Sequence, residues 1–314
     1  EILARQGVEL SRALLSNWVD ACCRLMAPLD EALYHYVMNC RKLHTDDTPV
    51  PVLAPGRKKT KTGRIWTYVR DDRNAGSSDP PAAWFAYSPD RQGKHPELHL
   101  RSFRGVLQAD AFAGYDRLFS TSREGGVLTE AACWAHARRK IHDVYISSQS
   151  ATAEEALKRI GELYAIEAEI RGMPETERLA ARQSRSAPLL ASLHEWMVEK
   201  SATLSKKSRL GEAFTYALNQ WDALCYYCRD GLAEPDNNAA ERALRAVCLG
   251  KKNYIFFGSD HGGERGALLY GLIGTCRLNG IDPEAYLRHI LSVLPEWPSN
   301  RVGELLPWNV AIPA

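Results

Sequence analysis

Leu43-His44-Thr45-Asp46-Asp47-Thr48-Pro49-Val50-Pro51-Val52-Leu53 is where helical periodicity gives way to β-branched residues. It reads as a strand broken by Pro49 and Pro51, because proline removes a ladder donor. Two further β-rich runs follow, Arg64-Ile65-Trp66-Thr67-Tyr68-Val69-Arg70 and Ala82-Ala83-Trp84-Phe85-Ala86-Tyr87. A basic hairpin tip, residues 57–64, separates the first two strands, and a Gly/Ser/Pro loop, residues 74–81, the next pair. Three consecutive strands of this kind can pair as a meander.

Upstream, residues 1–40 are helical, with Leu10, Leu14, Leu15, Trp18, Val19 and Cys22 as an apolar stripe and Pro28 opening a second helix. Downstream come a short helix at 96–103, a short buried strand at 106–110, a helical turn at 113–119, a possible fifth strand at 127–128 and a basic helix at 131–145. Residues 148–231 carry only amphipathic helical patterns. After Pro235 follow a helix at 239–247, a strand-like Tyr254-Ile255-Phe256-Phe257, helices at 264–278 and 283–294, and an irregular tail. This order predicts an α/β core, a mixed sheet flanked by helices, with an all-helical insertion before the last core helix. The expected division is 1–40 (helical segment), 41–144 (first part of the core), 145–235 (insertion), 236–260 (helix closing the core) and 261–314 (C-terminal helices and tail).

The chain has 314 residues, 45% hydrophobic and 25% charged, with a formal net charge of +2. Any nucleic-acid surface must therefore be local. No apolar run is long enough for a membrane span, and no secretory signal opens the sequence. Glu1 falls inside a helical pattern, so we expect the natural chain to start further upstream. The eight cysteines read as reduced thiols of a cytoplasmic protein rather than a disulfide framework. Cys225 and Cys228 have metal-ligand spacing, but no second pair accompanies them, and buried small hydrophobes are the simpler reading.

Acids are depleted from strands, so Asp46 and Asp110, both at strand positions, need a reason. If the first strand neighbours the fourth, the two point to one spot, and a helix packed on the sheet could bring Glu241 there. Such a set would suit one or two hard cations, Mg²⁺ or Mn²⁺. Simpler roles exist: Asp110 as a turn former, Glu241 paired with Arg245 on a helix face, and Asp236-Asn237-Asn238 as an N-cap.

Five segments carry a resemblance to the insertion-sequence-66 (IS66) family of bacterial transposases. They are Asp46-Asp47-Thr48-Pro49-Val50-Pro51-Val52-Leu53, Leu107-Gln108-Ala109-Asp110-Ala111-Phe112-Ala113-Gly114-Tyr115-Asp116, Cys133-Trp134-Ala135-His136-Ala137-Arg138-Arg139-Lys140, Asp236-Asn237-Asn238-Ala239-Ala240-Glu241-Arg242-Ala243-Leu244-Arg245 and Gly250-Lys251-Lys252-Asn253-Tyr254-Ile255-Phe256. Each alone is a weak signal; five in the family's order are specific. The resemblance implies an RNase H-like core with an Asp-Asp-Glu (DDE) triad, Asp46, Asp110 and Glu241, that serves as catalytic and metal-binding set for two Mg²⁺ or Mn²⁺ ions. The helical block accounts for the long interval between Asp110 and Glu241. Asp46 and Asp47 cannot both be ligands, since adjacent strand residues face opposite sides, and Asp46 is the choice. Family members also carry helix-turn-helix and zinc-binding parts at the N-terminus; residues 1–314 do not include them, in line with the expected start further upstream.

The implied activity is metal-dependent cleavage of a phosphodiester at a transposon end, then attack of the released 3′-hydroxyl on target DNA. Candidate phosphate contacts are Arg57, Lys58, Lys59, Lys61 and Arg64 at the hairpin, Arg138 and Arg139 with Lys140, Arg242 and Arg245, and Lys251 and Lys252. A solvated surface is the alternative for each. Cys133 and His136 form a C-x-x-H pattern similar to one following the second acid in several RNase H-like transposases, which makes His136 a candidate for DNA or an active-site acid. Trp134 could stack on a base or fill a core. Expected partners are transposon-end and target DNA, a second copy of the chain, and accessory proteins encoded by the element; the expected location is the bacterial cytoplasm and nucleoid. Competing readings are a metal-dependent nuclease or resolvase that cuts without joining, a non-catalytic DNA-binding remnant, and a two-carboxylate glycoside hydrolase that needs no divalent ion.

Overall fold

The computed structural model describes residues 5, 7–205 and 207–311. Five strands, β1 (Lys42–Val52), β2 (Lys61–Arg70), β3 (Ala82–Ser88), β4 (Val106–Gln108) and β5 (Thr129–Ala131), form one sheet in the order β3-β2-β1-β4-β5. β1, β2 and β3 pair antiparallel as a meander, and β4 and β5 join β1 in parallel. Helices flank this mixed sheet, which is an RNase H-like α/β fold.

β1 runs unbroken through both prolines, contrary to the expected interruption. The reason lies in strand polarity. Pro51 O accepts from Phe257 N and Leu53 N donates to Phe257 O, so the odd-numbered backbone groups at this end of β1 point away from β2. β4 pairs only with Lys42, Leu43 and His44. Pro49 and Pro51 therefore face a side with no ladder to complete, and their missing donors cost nothing there.

Helix α1 (Arg12–Met38) is likewise continuous across Pro28. Cys23, Met26, Leu29, Leu33 and Val37 on either side of the proline are all buried, and this shared face outweighs one lost backbone bond. The expected stripe is different: Leu14, Leu15, Trp18 and Val19 are exposed, Trp18 at 50%. The fifth strand lies at Thr129–Ala131, just after the expected position.

Two packing layers cover the sheet. Leu43, Trp66, Tyr68, Leu107 and Ala86 face α1, the short α2 (Lys94–His99), Phe103, Tyr115 and the C-terminal helix α11 (Pro283–Val293). Val50, Ile65, Val69 and Phe85 face helix α9 (Asn238–Tyr254) and α10 (Asp260–Leu278) through Leu244, Val247 and Ala267. α10 also shields the edge strand: Thr275 Oγ1 accepts from Ala83 N at 3.1 Å and donates to Ala83 O at 3.2 Å. Gly263 makes the close approach possible, because a Cβ there would stand 2.4 Å from the Tyr87 ring.

The helical block has a separate core. α3 (Trp134–Ser148) supplies Trp134, Ala137, Ile141 and Val144, and α4 (Ala151–Glu169) supplies Ala153, Ala156, Ile160 and Leu163, both at helical spacing. These meet α6 (Ala187–Thr203) and α7 (Arg209–Asn219), which follow the short α5 (Glu175–Ala181). Arg182, fully buried after α5, donates to both Glu167 oxygens at 2.8 and 2.7 Å and to the carbonyls of Tyr227 and Ala233. It thereby ties the block to the returning chain beyond α8 (Trp221–Cys225). No helix among the described residues is long and apolar enough to cross a membrane.

Candidate active site

The register sets the first two acids side by side. β1 and β4 are parallel with His44 opposite Gln108; two residues further on stand Asp46, still in β1, and Asp110, just past the end of β4, which stops at Gln108 and not at the expected residue 110. Neighbouring strands lie about 4.8 Å apart, and residues of equal parity leave the sheet on the same face. That face belongs to α9: Thr48 meets Cys248 and Lys251, and Val50 packs with Leu244 and Val247. Asp47 leaves on the other face, where Arg64 (3.0 Å) and Arg91 (2.8 and 3.0 Å) hold its buried carboxylate. Arg91 in turn stacks on Phe112 at 3.8 Å from the ring centre.

Glu241 sits in the first turn of α9. The chain that brings it there is stitched to three elements. Glu234 N donates to Gln108 Oε1 and Gln108 Nε2 returns a bond to Glu234 O, fastening the return to β4. Trp134 N donates to Pro235 O. Asn237, fully buried, donates Nδ2 to Thr45 O at 2.8 Å and accepts from His44 Nδ1 at 3.1 Å, while its own N–H donates to Cys133 Sγ. The amide orientation makes Nδ1 of His44 the protonated nitrogen, and burial keeps that ring well below the usual histidine pKa. Asn237 is thus the N-cap residue of α9, but its side chain serves β1 instead of the helix end.

The acids feel one another. Burial pushes the Asp46 carboxyl up to about 7, and the charges of Asp110, Asp47 and Glu241 push the same way against the Asp47 N–H that donates to Asp46 Oδ1. Burial also raises Asp110, with His136 and Arg91 opposing. Asp110 Oδ1 and Glu241 Oε1 are buried without a hydrogen-bond partner. Orphaned carboxylate oxygens that repel each other are the donor set a hard cation takes, so these residues fit such an ion.

They are not closed into a single tight ligand set, however. Among the described residues, the only group of three potential ligands within 4.8 Å of one another is Cys133, His136 and Glu241. His136 Nε2 and Arg139 each stand 3.5 Å from Glu241, drawing it toward α3. Cys133 does not suit Mg²⁺ or Mn²⁺: thiols are soft ligands, and burial pushes this one up to about 11. Cys225 and Cys228 belong to no such group and pack in the core of the helical block.

The basic candidates divide by what they already hold. Lys61 pairs with Asp260 at 2.5 Å, Arg64 with Asp47, and Lys251 donates to Thr48 Oγ1 and Pro49 O. Arg57, Lys58 and Lys59 are exposed on the turn after β1, and Arg138, Arg139, Arg242, Arg245 and Lys252 are exposed on α3 and α9. Lys251 and Lys252 lie within α9, which extends to Tyr254, so the strand expected at 254–257 reduces to one bridge between Val52 and Phe257. Trp134 is buried, with Nε1 bonded to Leu224 O, and is a core residue.

Sequence reading missed Arg91, Gln108 and His44 as supports of the site. Only the polar character of Gln108 and His44 inside a buried strand marked them; nothing in the spacing marked Arg91.

Comparison with known proteins adds to this geometry. Residues 1–265 match the family described as "Transposase IS66 family", and residues 271–308 match "IS66 C-terminal element". Similar relatives include three Sinorhizobium fredii proteins. Uncharacterized protein y4hP is 40% identical over 97% of this chain and 57% of its own length. Uncharacterized protein y4qI is 35% identical over 98% and 58%, and uncharacterized protein y4jD 36% over 98% and 61%. The chain therefore spans somewhat more than half the length of these relatives.

Proposed function

The chain belongs to the IS66 family of transposases, and from that premise we propose that it is the catalytic region of a DDE enzyme that cuts and joins DNA strands during transposition. One observation carries this reading: Asp46 in β1 and Asp110, two residues past the end of the parallel neighbour β4, follow the paired His44 and Gln108 by two residues each. The charges of Asp110 and of Glu241, in the first turn of α9, both push the Asp46 carboxyl up.

Asp46, Asp110 and Glu241 would hold two Mg²⁺ or Mn²⁺ ions, which when bound activate an attacking oxygen and stabilise a leaving one across phosphorus. The protein's own contribution is placement. β1 carries Asp46 and the segment leaving β4 carries Asp110, whereas Glu241 reaches in from a helix and can trade its long contacts to His136 and Arg139 for the centre. His136 and Arg139 then become free to face a phosphate. Exposed Arg138, Arg242, Arg245 and Lys252 would hold the DNA backbone along the same helices. The DNA partner comes with the family; assembly with a second copy and accessory proteins belongs to this proposal.

The test is a pair of assays with the element's own ends: Mn²⁺-dependent cleavage, and joining of a pre-cleaved 3′-hydroxyl end to target plasmid. Asp46→Asn, Asp110→Asn and Glu241→Gln should each abolish both. Cleavage without joining would point to the nuclease reading, and activity indifferent to EDTA would refute the metal-dependent mechanism.

A further inference from the structure

α9 ends in a strained apolar tip. Ile255 has φ 67° and ψ −51°, and Phe256 N donates to Tyr254 O at 2.7 Å. That is the three-residue γ-turn of the strained kind, here centred on a β-branched residue, for which positive φ is an outlier. Backbone strain of this kind clusters at functional sites. Ile255 is 66% exposed and Phe256 39%, with Leu249 (54%) and Leu53 (43%) as further exposed apolar residues in this part of the chain.

The segments that meet at the tip carry exposed positive charge. Phe257 pairs with Pro51 and Leu53 through two backbone bonds, which joins the end of β1 to the segment just beyond the γ-turn. Arg57, Lys58 and Lys59 follow on the turn after β1, and Lys252 lies three residues before Ile255. Asp260, three residues past Phe257, is already paired with Lys61, so the unpaired charge on the two segments joined here is positive, and exposed apolar side chains beside such charge suit a polyanion with an apolar interior. Stacked bases behind a phosphate backbone are such a partner, and apolar side chains pushed between base steps are a known way to kink a duplex.

We propose that Ile255 and Phe256 form a wedge that inserts between base pairs of the bound duplex, with Arg57, Lys58, Lys59 and Lys252 gripping the flanking phosphates. The wedge rests on the DNA-processing reading above and adds a position to it. From Glu241 to Ile255 the helix advances about 20 Å, so a duplex lying along α9 meets the wedge about six base pairs from the acidic centre at 3.4 Å per step. The γ-turn presents Ile255 at 66% and Phe256 at 39% exposure, and their insertion would open and bend the duplex.

The test uses the whole chain with two 30-bp duplexes of generic sequence, one fully paired and one with a single central mismatch, which is cheaper to unstack. Wild type should bind the mismatched duplex about tenfold more tightly, since unstacking costs a few kcal/mol per step. Ile255→Gly, which also relieves the positive φ, and Phe256→Ala should bring that preference within twofold while keeping affinity for the paired duplex and its salt dependence. Phe256→Leu should restore it. Lys252→Gln should weaken binding to both duplexes and shallow the salt dependence, leaving the preference intact. A preference equal in wild type and both wedge variants, or absent in wild type that binds DNA, overturns the wedge alone. A change of oligomeric state in Phe256→Ala with the preference unaltered assigns the tip to a protein interface and overturns it too. Failure of wild type to bind any duplex removes the DNA-processing reading together with the wedge.

Discussion

Asp46 and Asp47 are consecutive in β1, yet their carboxylates leave the sheet on opposite faces: Asp47 is clasped by Arg64 and Arg91, and Asp46 is paired with no cation among the described residues. The two should therefore respond to neutralisation in opposite directions. Asp47→Asn removes a buried anion from two guanidinium groups and should destabilise the fold by about 1.5–3 kcal/mol. Asp46→Asn relieves repulsion from Asp110 and Glu241 and should raise the melting temperature, corresponding to about 1–2 kcal/mol without divalent ions. Thermal melts of both variants in EDTA check this; a loss of stability in Asp46→Asn would show that the acidic centre is not self-repelling.

The same repulsion makes cation binding visible without any reaction. Mn²⁺ at a hundred times its dissociation constant should add about 2.7 kcal/mol to the wild-type fold, read as a rise in melting temperature. Asp46→Asn and Asp110→Asn should lose most of that rise, whereas Cys133→Ser should retain it. A rise that depends on Cys133 and survives loss of both aspartates would move the ion to the group formed by Cys133, His136 and Glu241.

Much of this arrangement is legible in the amino-acid pattern. Alternation around Trp66 and Phe85 marks the meander, and an ionisable side chain in strand context singles out Asp46 and Asp110 before any pairing is known. The uninterrupted helical texture of residues 148–231 agrees with the helices from Ala151 to Cys225, which pack around a core of their own. What escapes local pattern is whatever depends on a distant partner. Pro49 and Pro51 look like strand breakers because their neighbour on one side cannot be seen from sequence. Tyr254 to Phe257 has the composition of a strand, but α9 continues through Tyr254 and ends in the γ-turn. Leu14, Trp18 and Val19 repeat with helical period and are still exposed, because periodicity says which residues share a face and not what covers it. Arg91 reaches Asp47 from a loop 44 residues away, a pairing that no spacing rule contains.

Asn237 is the clearest case of a supporting residue, since its buried side-chain amide joins α9 to β1 and its backbone N–H reaches Cys133 at the start of α3. Asn237→Ala would leave Thr45 O and His44 Nδ1 unpaired in the interior and should cost about 2–4 kcal/mol. Because His44 is two residues from Asp46 and Asn237 four from Glu241, the Mn²⁺-induced rise in melting temperature should shrink as well. Asn237→Asp keeps the acceptor for His44 but loses the donor to Thr45 and adds a charge, so it should be no milder than alanine. A variant that melts like wild type and responds fully to Mn²⁺ would remove Asn237 from the role of joining helix to strand.

Far from the centre, Asp30 provides a test by pH. Its carboxyl lies between α1 and β3, with Trp84 Nε1 donating to Oδ2 at 3.3 Å and Oδ1 buried without a partner. Burial pushes its pKa up to about 6, the Trp84 N–H acting against that shift, from an unfolded value near 3.8. A raised carboxyl binds its proton more tightly in the folded state. Its favourable contribution is complete below the unfolded pKa, is lost as pH rises from about 4 through 6, and stays lost above. At 1.36 kcal/mol per pH unit the loss is at most about 3 kcal/mol. Asp30→Asn should therefore melt higher than wild type at pH 8 and nearly level with it at pH 4. Equal stabilisation at both pH values would mean that the gain comes from packing of the amide, with no part played by the buried charge.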